Sequence, residues 1–204
     1  GVLMIAEEST AWPLVTYPPD VGGLGFHFKW NMGWMNDSLS YALTPFEKRP
    51  LAHGKLTFPL MYAFSENYIL PVSHDEVVHG KKSLLDKMPG EYRQKFAGVR
   101  AFMTYMMTEP GKKLLFMGSE IGQFKEWDYK GAEEFFLLDF PAHKELQTFF
   151  RQLNQFYLSE PALWSKDDGW DGFRWIAADD AEHCVLSFRR RGKKGSELLV
   201  ICNF

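Results

Sequence analysis

The chain has 204 residues, of which 46% are hydrophobic and 24% are charged, and its formal net charge is −3. This composition is typical of a globular protein with a large buried core, and it excludes disordered and fibrous chains. The small net charge provides no basic field for nucleic acid or acidic lipid, and no apolar run reaches the roughly 18–20 residues of a membrane span. We therefore expect neither a nucleic-acid nor a membrane partner.

In chain order, short apolar runs alternate with helical patterns over residues 1–165. This alternation favours a parallel sheet with crossover helices, which is an α/β fold. The predicted strands are residues 2–6, 26–30, 68–72 and 113–117, and the predicted helices are residues 31–43, 56–64, 92–108 and 144–158.

The pattern changes near residue 166, where three β-rich runs follow one another up to residue 204. Asp179-Asp180 and the glycine-flanked lysines of residues 192–195 are predicted as hairpin turns between these runs. We therefore predict two domains, an α/β unit at residues 1–165 and the start of an all-β domain at residues 166–204.

Both ends of the sequence lie within apolar runs, GVLMIAE at the start and ELLVICNF at the end. We expect a segment of a longer protein, whose open sheet edges favour pairing or aggregation in isolation. Cys184 and Cys202 form neither a disulfide framework nor a zinc pattern. They favour a reducing, cytoplasmic location and buried, unreactive thiols.

Three of the predicted strands end in an acid: Glu7, Asp75 and Glu120. In a (β/α)₈ barrel the catalytic residues lie at the C-terminal ends of the strands, so three such acids indicate a site. A doubly wound sheet is the alternative, but no Gly-rich nucleotide turn follows any of the strands.

The stretch SHDEVVHGKKS, residues 73–83, has the densest charge near a strand end. His74 and His79 are five residues apart rather than the four of an H-E-x-x-H zinc helix, so we predict no metal. A phosphate loop is excluded because Asp75 stands where its first glycine belongs and an extra lysine precedes Ser83.

With metal and phosphate binding excluded, catalysis by a pair of carboxylates is the remaining interpretation of residues 73–83. Glycoside cleavage requires an acid that protonates the leaving oxygen and a second carboxylate at the sugar. Glu7 follows an apolar strand, and we expect the acids at the ends of neighbouring strands to lie near it. Burial and this negative charge are then expected to raise the pKa of Glu7. Only one of Glu7 and Glu8 can face the site, because adjacent strand residues point to opposite faces. A role as a helix cap is the structural alternative.

The blocks MIAEEST, GGLGFHFKWNMGWMNDSL, LPVSHDEVVHGKKS and KLLFMGSEIGQFKEW resemble the 1,4-alpha-glucan branching enzymes of the alpha-amylase superfamily. The resemblance covers nearly the whole chain, and the second and third blocks are the most specific. It implies the second half of a (β/α)₈ barrel, strands five to eight, followed by the beginning of an all-β sandwich.

The resemblance also implies roles for individual residues in a retaining transfer of an α-1,4-glucan chain to a 6-hydroxyl group. Glu7 is the general acid/base, Asp75 is the carboxylate that holds sugar hydroxyls in the transition state, and His74 donates to the same sugar. Trp30 and Trp127 bind the glucan, with core packing as the alternative for Trp30 and for Trp34. No cofactor or metal is implied.

The nucleophile of this superfamily follows the pattern D-G-x-R-x-D-A on the fourth barrel strand, which is not among these residues. WDGFRWIAADD imitates the pattern, but Ile176 occupies the nucleophile position, so we expect the isolated chain to be inactive.

An α-glucan hydrolase of the same superfamily and a non-catalytic glucan-binding piece are the alternative functions. We expect His53, His143 and His183 to be surface or loop residues, and Glu76, His79, Lys81 and Lys82 to be loop residues of lesser interest.

Overall fold

A four-stranded parallel sheet and a three-stranded antiparallel sheet organise the chain, in a computed structural model that describes residues 1–204. The parallel strands are β1 (Ile5–Ala6), β2 (Phe28–Trp30), β3 (Tyr68–Val72) and β4 (Lys112–Leu115). They lie side by side in chain order, and every neighbouring pair is parallel. Each strand must therefore be followed by a crossover connection, as the alternating sequence pattern predicts.

Six α-helices occupy these connections and the segment that follows β4. They are α1 (Met32–Ala42), α2 (Arg49–Ala52), α3 (Gly54–Thr57), α4 (Leu84–Lys87), α5 (Tyr92–Thr108) and α6 (Pro141–Ser159). Helix α5 begins with a capping box between Glu91 and Gln94 and ends before Pro110. Gly111 then turns the chain into β4 with φ +105°, a conformation that favours glycine. None of the helices is long and apolar enough to cross a membrane.

The antiparallel sheet is built from β5 (Phe173–Asp180), β6 (Val185–Arg191) and β7 (Glu197–Asn203), in that order. One buried cluster of 26 residues includes Phe188 and Val200 of this sheet together with Trp34 and Leu70 of the α/β part. The two sheets therefore share a continuous core, and the domain boundary at residue 166 stays a prediction.

The fully buried Arg190 on β6 links this sheet to the N-terminal end of the parallel sheet. Its guanidinium donates to the carbonyl oxygens of Thr108 at 2.5 Å, Gly172 at 3.2 Å and Leu163 at 3.2 Å. It also pairs with Asp167 at 2.7 Å. A buried charge with several partners is tolerated, whereas one that has lost a partner is costly.

Two further titratable side chains lie beside this link, the buried Glu109 and the half-buried Lys113. Burial raises the pKa of Glu109 to about 8, and burial lowers the pKa of Lys113 to about 7. Lys113 donates to the Glu109 carbonyl oxygen at 2.6 Å. Burial disfavours both charged forms at this end of the sheet.

Several predicted elements need correction. The strand at residues 2–6 is only Ile5–Ala6, and Val2, Leu3 and Met4 are exposed because β1 has a neighbour on one side only. The helix at residues 56–64 is broken into α3 and a 3₁₀ turn at Phe58–Met61, because Pro59 cannot continue the α-helical hydrogen bonds. The strand at residues 113–117 is half-buried rather than buried.

Three polar predictions were also wrong. Asp179-Asp180 belongs to β5, and the turn follows it. His53 and His143 are buried rather than on the surface, and their rings bond the carbonyl oxygens of Ala178 at 2.9 Å and Ile121 at 2.8 Å. The exposed position of His183 is confirmed, as are the buried free thiols of both cysteines; burial raises the pKa of the Cys202 thiol to about 12.

Candidate active site

The end of β1 separates Glu7 from Glu8. Glu8 accepts a hydrogen bond of 2.6 Å from the buried Lys29 ammonium, and this contact lowers the pKa of Glu8 to about 2. Glu7 is exposed and makes no hydrogen bond or ion pair. Glu8 is therefore an ionised structural partner, and Glu7 is the carboxyl left available to a ligand. The burial that we expected for Glu7 is absent, because β1 lies at the edge of the sheet.

The end of β3 is formed by a capping box. The Ser73 backbone N–H donates to the Glu76 carboxylate at 2.6 Å, and the Asp75 N–H donates to the Ser73 hydroxyl at 3.2 Å. These reciprocal bonds satisfy the donors that a turn leaves without partners. Glu76 is buried by this role, so His74 and Asp75 are the residues that remain exposed to solvent at the sheet edge.

His74 and Asp75 form a pair, with 3.3 Å between His74 Nε2 and Asp75 Oδ1. Two aromatic rings from the segment that follows β4 pack on the imidazole of His74. The centroid distance is 5.8 Å for Trp127 and 5.9 Å for Phe116. The Trp127 backbone N–H donates to Val77 at 2.8 Å, which ties this segment to the one that follows β3. The structure thus brings together His74, Asp75 and Trp127.

Glu7 and Asp75 share the C-terminal edge of the sheet, with the end of β2 between them in strand order. Trp30 is the last residue of β2 and is half-buried. Neighbouring strands lie about 4.8 Å apart, so β1 and β3 are separated by about 10 Å. A sugar ring bound over Trp30 would meet a carboxyl on either side.

The core alternative holds for Trp34, which is buried and stacks on Tyr105 at 6.3 Å with an interplanar angle of 14°. The third strand-end acid, Glu120, is half-buried in a short 3₁₀ turn. Burial, and then the charge of Glu120, raise the pKa of Glu133. Sequence patterns did not indicate Glu133, because only the tertiary fold brings it near Glu120.

The structure contains no group of three or more His, Cys, Asp or Glu side chains arranged to hold a metal ion. The segment that imitates the nucleophile pattern, WDGFRWIAADD, leads into β5 of the antiparallel sheet, where Ile176 is exposed. The titratable residues of the site are therefore the strand-end carboxyls and His74. Such a set can donate a proton to, and hydrogen-bond, a hydroxyl-rich ligand.

Comparisons with known proteins agree with this chemistry. No family model matches the chain. The 1,4-alpha-glucan branching enzyme GlgB of Halothermothrix orenii is 58% identical over 203 residues, which cover 99% of this chain and 32% of that protein. The same enzyme of Geobacillus stearothermophilus is 55% identical over 205 residues, covering 100% and 32%.

The resemblance to the 1,4-alpha-glucan branching enzymes is confirmed. It extends over essentially the whole chain, which spans about a third of the length of these branching enzymes.

Solved structures of the alpha-amylase family match the fold. The alpha-amylase of H. orenii has a TM-score of 0.62 at 19% identity, covering 99% of this chain and 43% of that one. A pullulanase variant from Paenibacillus barengoltzii, complexed with maltotetraose, has a TM-score of 0.71 at 15% identity, covering 98% and 36%. The chain therefore has an α/β fold with a C-terminal β-sheet, as in these enzymes.

Proposed function

We propose that this chain is the part of a 1,4-alpha-glucan branching enzyme that carries the general acid/base and a second catalytic carboxylate. The observation that carries the proposal is identity of 53–58% to branching enzymes along the whole chain. The substrate is an α-glucan, in keeping with the maltose and maltotetraose complexes of structurally similar pullulanases.

In the proposed reaction, Glu7 protonates the oxygen that leaves when the α-1,4 bond breaks, and the glucan chain is held covalently by an aspartate outside these residues. Glu7 then takes the proton of the incoming 6-hydroxyl group, and the chain is transferred to it with retention at the anomeric carbon. Asp75 and His74 hold hydroxyls of the distorted sugar. The absence of any competing partner for Glu7 supports its role.

We place the parallel strands as the fifth to eighth of a (β/α)₈ barrel, and residues 166–204 as the start of an all-β domain. Four parallel strands that lie side by side in chain order support this placement. A complete barrel needs about 250 residues, so residues 1–165 have room for only part of one. Trp30 and Trp127 line the glucan groove, and the free cysteines support a reducing, cytoplasmic location.

A chimera tests the function directly. This chain would replace the 203 matched residues of the H. orenii branching enzyme, and the product would be incubated with amylose. A branching enzyme lowers iodine staining without a proportionate release of reducing ends. A proportionate release would instead indicate the alternative, an α-glucan hydrolase.

The isolated chain tests whether these residues can act without the nucleophile, while a chimera that leaves the iodine staining of amylose unchanged would indicate the other alternative, a glucan-binding piece without activity. We expect no turnover of amylose by the purified chain, because Ile176 cannot act as the nucleophile. Turnover above that of a Glu7→Gln variant of the same chain would contradict this expectation.

A further inference from the structure

The segment that follows the His74–Asp75 pair, residues 78–82, is the feature that the proposed function does not yet explain. It lies on the surface, and His79, Gly80 and Lys82 are exposed. Gly80 and Lys82 both have positive φ, at +81° and +65°. For a lysine this left-handed conformation is unfavourable, so surrounding contacts must hold it in place.

One carboxylate holds the N–H side of this loop. Glu126 accepts the backbone N–H of Gly80 at 2.9 Å through one oxygen and that of Lys82 at 2.6 Å through the other. The same carboxylate lies 3.4 Å from His79 Nδ1. These backbone hydrogen bonds, first that of Lys82, lower the pKa of Glu126, so its charged form is the one that binds the loop.

A buried ammonium holds the C=O side. Lys87 at the end of α4 is 5% exposed and donates to the carbonyl oxygen of Lys81, and to that of Lys82 at 3.1 Å. The loop is therefore fixed between a negative group on one side and a positive group on the other. Charge-assisted hydrogen bonds of this kind are about twice as strong as neutral ones.

The fixed loop adjoins the candidate active site. Glu126 is followed by Trp127, whose ring packs on His74. An open pocket of ≈ 540 Å³ lies between the loop and the Glu126 segment. Its lining includes Val78, His79, Glu126, Trp127 and Tyr129.

We propose that Glu126 and Lys87 are positioning residues, which hold residues 78–82 as one wall of the groove that receives the glucan chain beside His74 and Trp127. The inference rests on the proposed function, since it assigns a binding role to the pocket next to the same site. The imidazole of His79 and the indole of Trp127 are then presented to the sugar at a fixed separation. Neither positioning residue touches the reacting atoms.

Two chemically unrelated substitutions in the chimera test the proposal. Glu126→Gln keeps the size of the side chain but removes its charge and turns an amide N–H toward a backbone N–H. Gly80→Ala leaves Glu126 intact and strains the loop backbone at φ +81°, and the added Cβ meets no atom within 4 Å. We expect each variant to raise the KM for amylose by on the order of tenfold with little change in kcat, because a displaced binding group weakens substrate binding.

Amide hydrogen exchange gives the second measurement, on the isolated chain as well as on the chimera. The N–H groups of Gly80 and Lys82 are protected only by Glu126. We expect their exchange to accelerate in Glu126→Gln, while the amides of α5 keep their wild-type rates. A Glu145→Gln variant is the matched control, because Glu145 is an exposed acid on α6 without a hydrogen-bond partner.

Three results would overturn the proposal. The first is faster exchange in the loop with an unchanged KM, which would make the loop irrelevant to the glucan. The second is a raised KM in Glu126→Gln but not in Gly80→Ala, which would assign the effect to charge alone. The third is unchanged exchange at Gly80 and Lys82 in Glu126→Gln. A wild-type chimera that does not branch amylose overturns the proposed function and, with it, this inference, whereas a branching chimera with unaffected variants overturns the inference alone.

Discussion

The two ends of the parallel sheet differ in whether their charged side chains are exposed or buried. At the C-terminal edge, Glu7 and Asp75 are exposed, and Glu7 has no partner. At the N-terminal end, Arg190 is completely buried and has four partners. Charges left without partners contribute little to stability and remain available to a ligand, whereas the buried charges hold the two sheets together. The difference separates the end of the sheet that is available to a ligand from the end that supports the fold.

The largest effect should come from the exposed end. In the chimera, Glu7→Gln is expected to lower branching activity by on the order of 10³-fold, since a general acid/base contributes about 10²–10⁴-fold. The free energy of unfolding of the isolated chain should remain within about 0.5 kcal/mol of the wild type, as for exposed positions generally. Activity is measured by iodine staining and stability by urea unfolding. A large loss of stability would remove the contrast between the two ends.

At the buried end we expect the reverse. Arg190→Met should lower the free energy of unfolding by about 3–5 kcal/mol, because the buried carbonyl of Thr108 loses its donor and Asp167 loses its buried partner. Asp167 then keeps only the more exposed Lys112, at 3.3 Å. Arg191→Met on the same strand is the control, since Arg191 is exposed and its pair with Glu197, at 3.2 Å, should contribute less than about 1 kcal/mol. Equal losses in the two variants would show that the link through Arg190 is not special.

The smallest effect concerns pH. Burial raises the pKa of Glu109 to about 8 in the folded chain, well above the ordinary value of a glutamate, so between these two values the folded state holds a proton that the unfolded state releases. Stability should therefore fall as pH rises from about 5 to about 7. Lys113 acts in the opposite sense, but only above its lowered pKa of about 7.

A Glu109→Gln variant isolates this contribution. Its unfolding free energy should depend less on pH than that of the wild type across the same interval, as measured by urea unfolding at each pH. An unchanged slope would assign the pH dependence to other groups.

The sequence predicted elements best where local signals agree. β3 and α5 were predicted to the residue, because β3 is a short apolar run and α5 has apolar residues at helical spacing up to the Pro110-Gly111 break. Residues 56–64 were predicted wrongly as one helix, because the helical spacing of their apolar residues was followed although Pro59 interrupts the α-helix.

The site was partly predictable as well. The strand-end rule led to Glu7 and Asp75, and their exposure at one edge of the sheet fits it. Glu126 was not indicated, because its role depends on backbone N–H groups that lie 44 and 46 residues away in the sequence. The burial of His53 and His143 depends in the same way on distant carbonyl groups.

The bond between His53 and Ala178 has a consequence for synthesis on the ribosome. Its two ends are 125 residues apart in the chain. At about 5–20 residues per second, the imidazole is made roughly 6–25 s before its acceptor. During that interval the helices around His53 lack the strand that buries the ring, so a chaperone or a neighbouring nascent segment has a defined period in which to bind there.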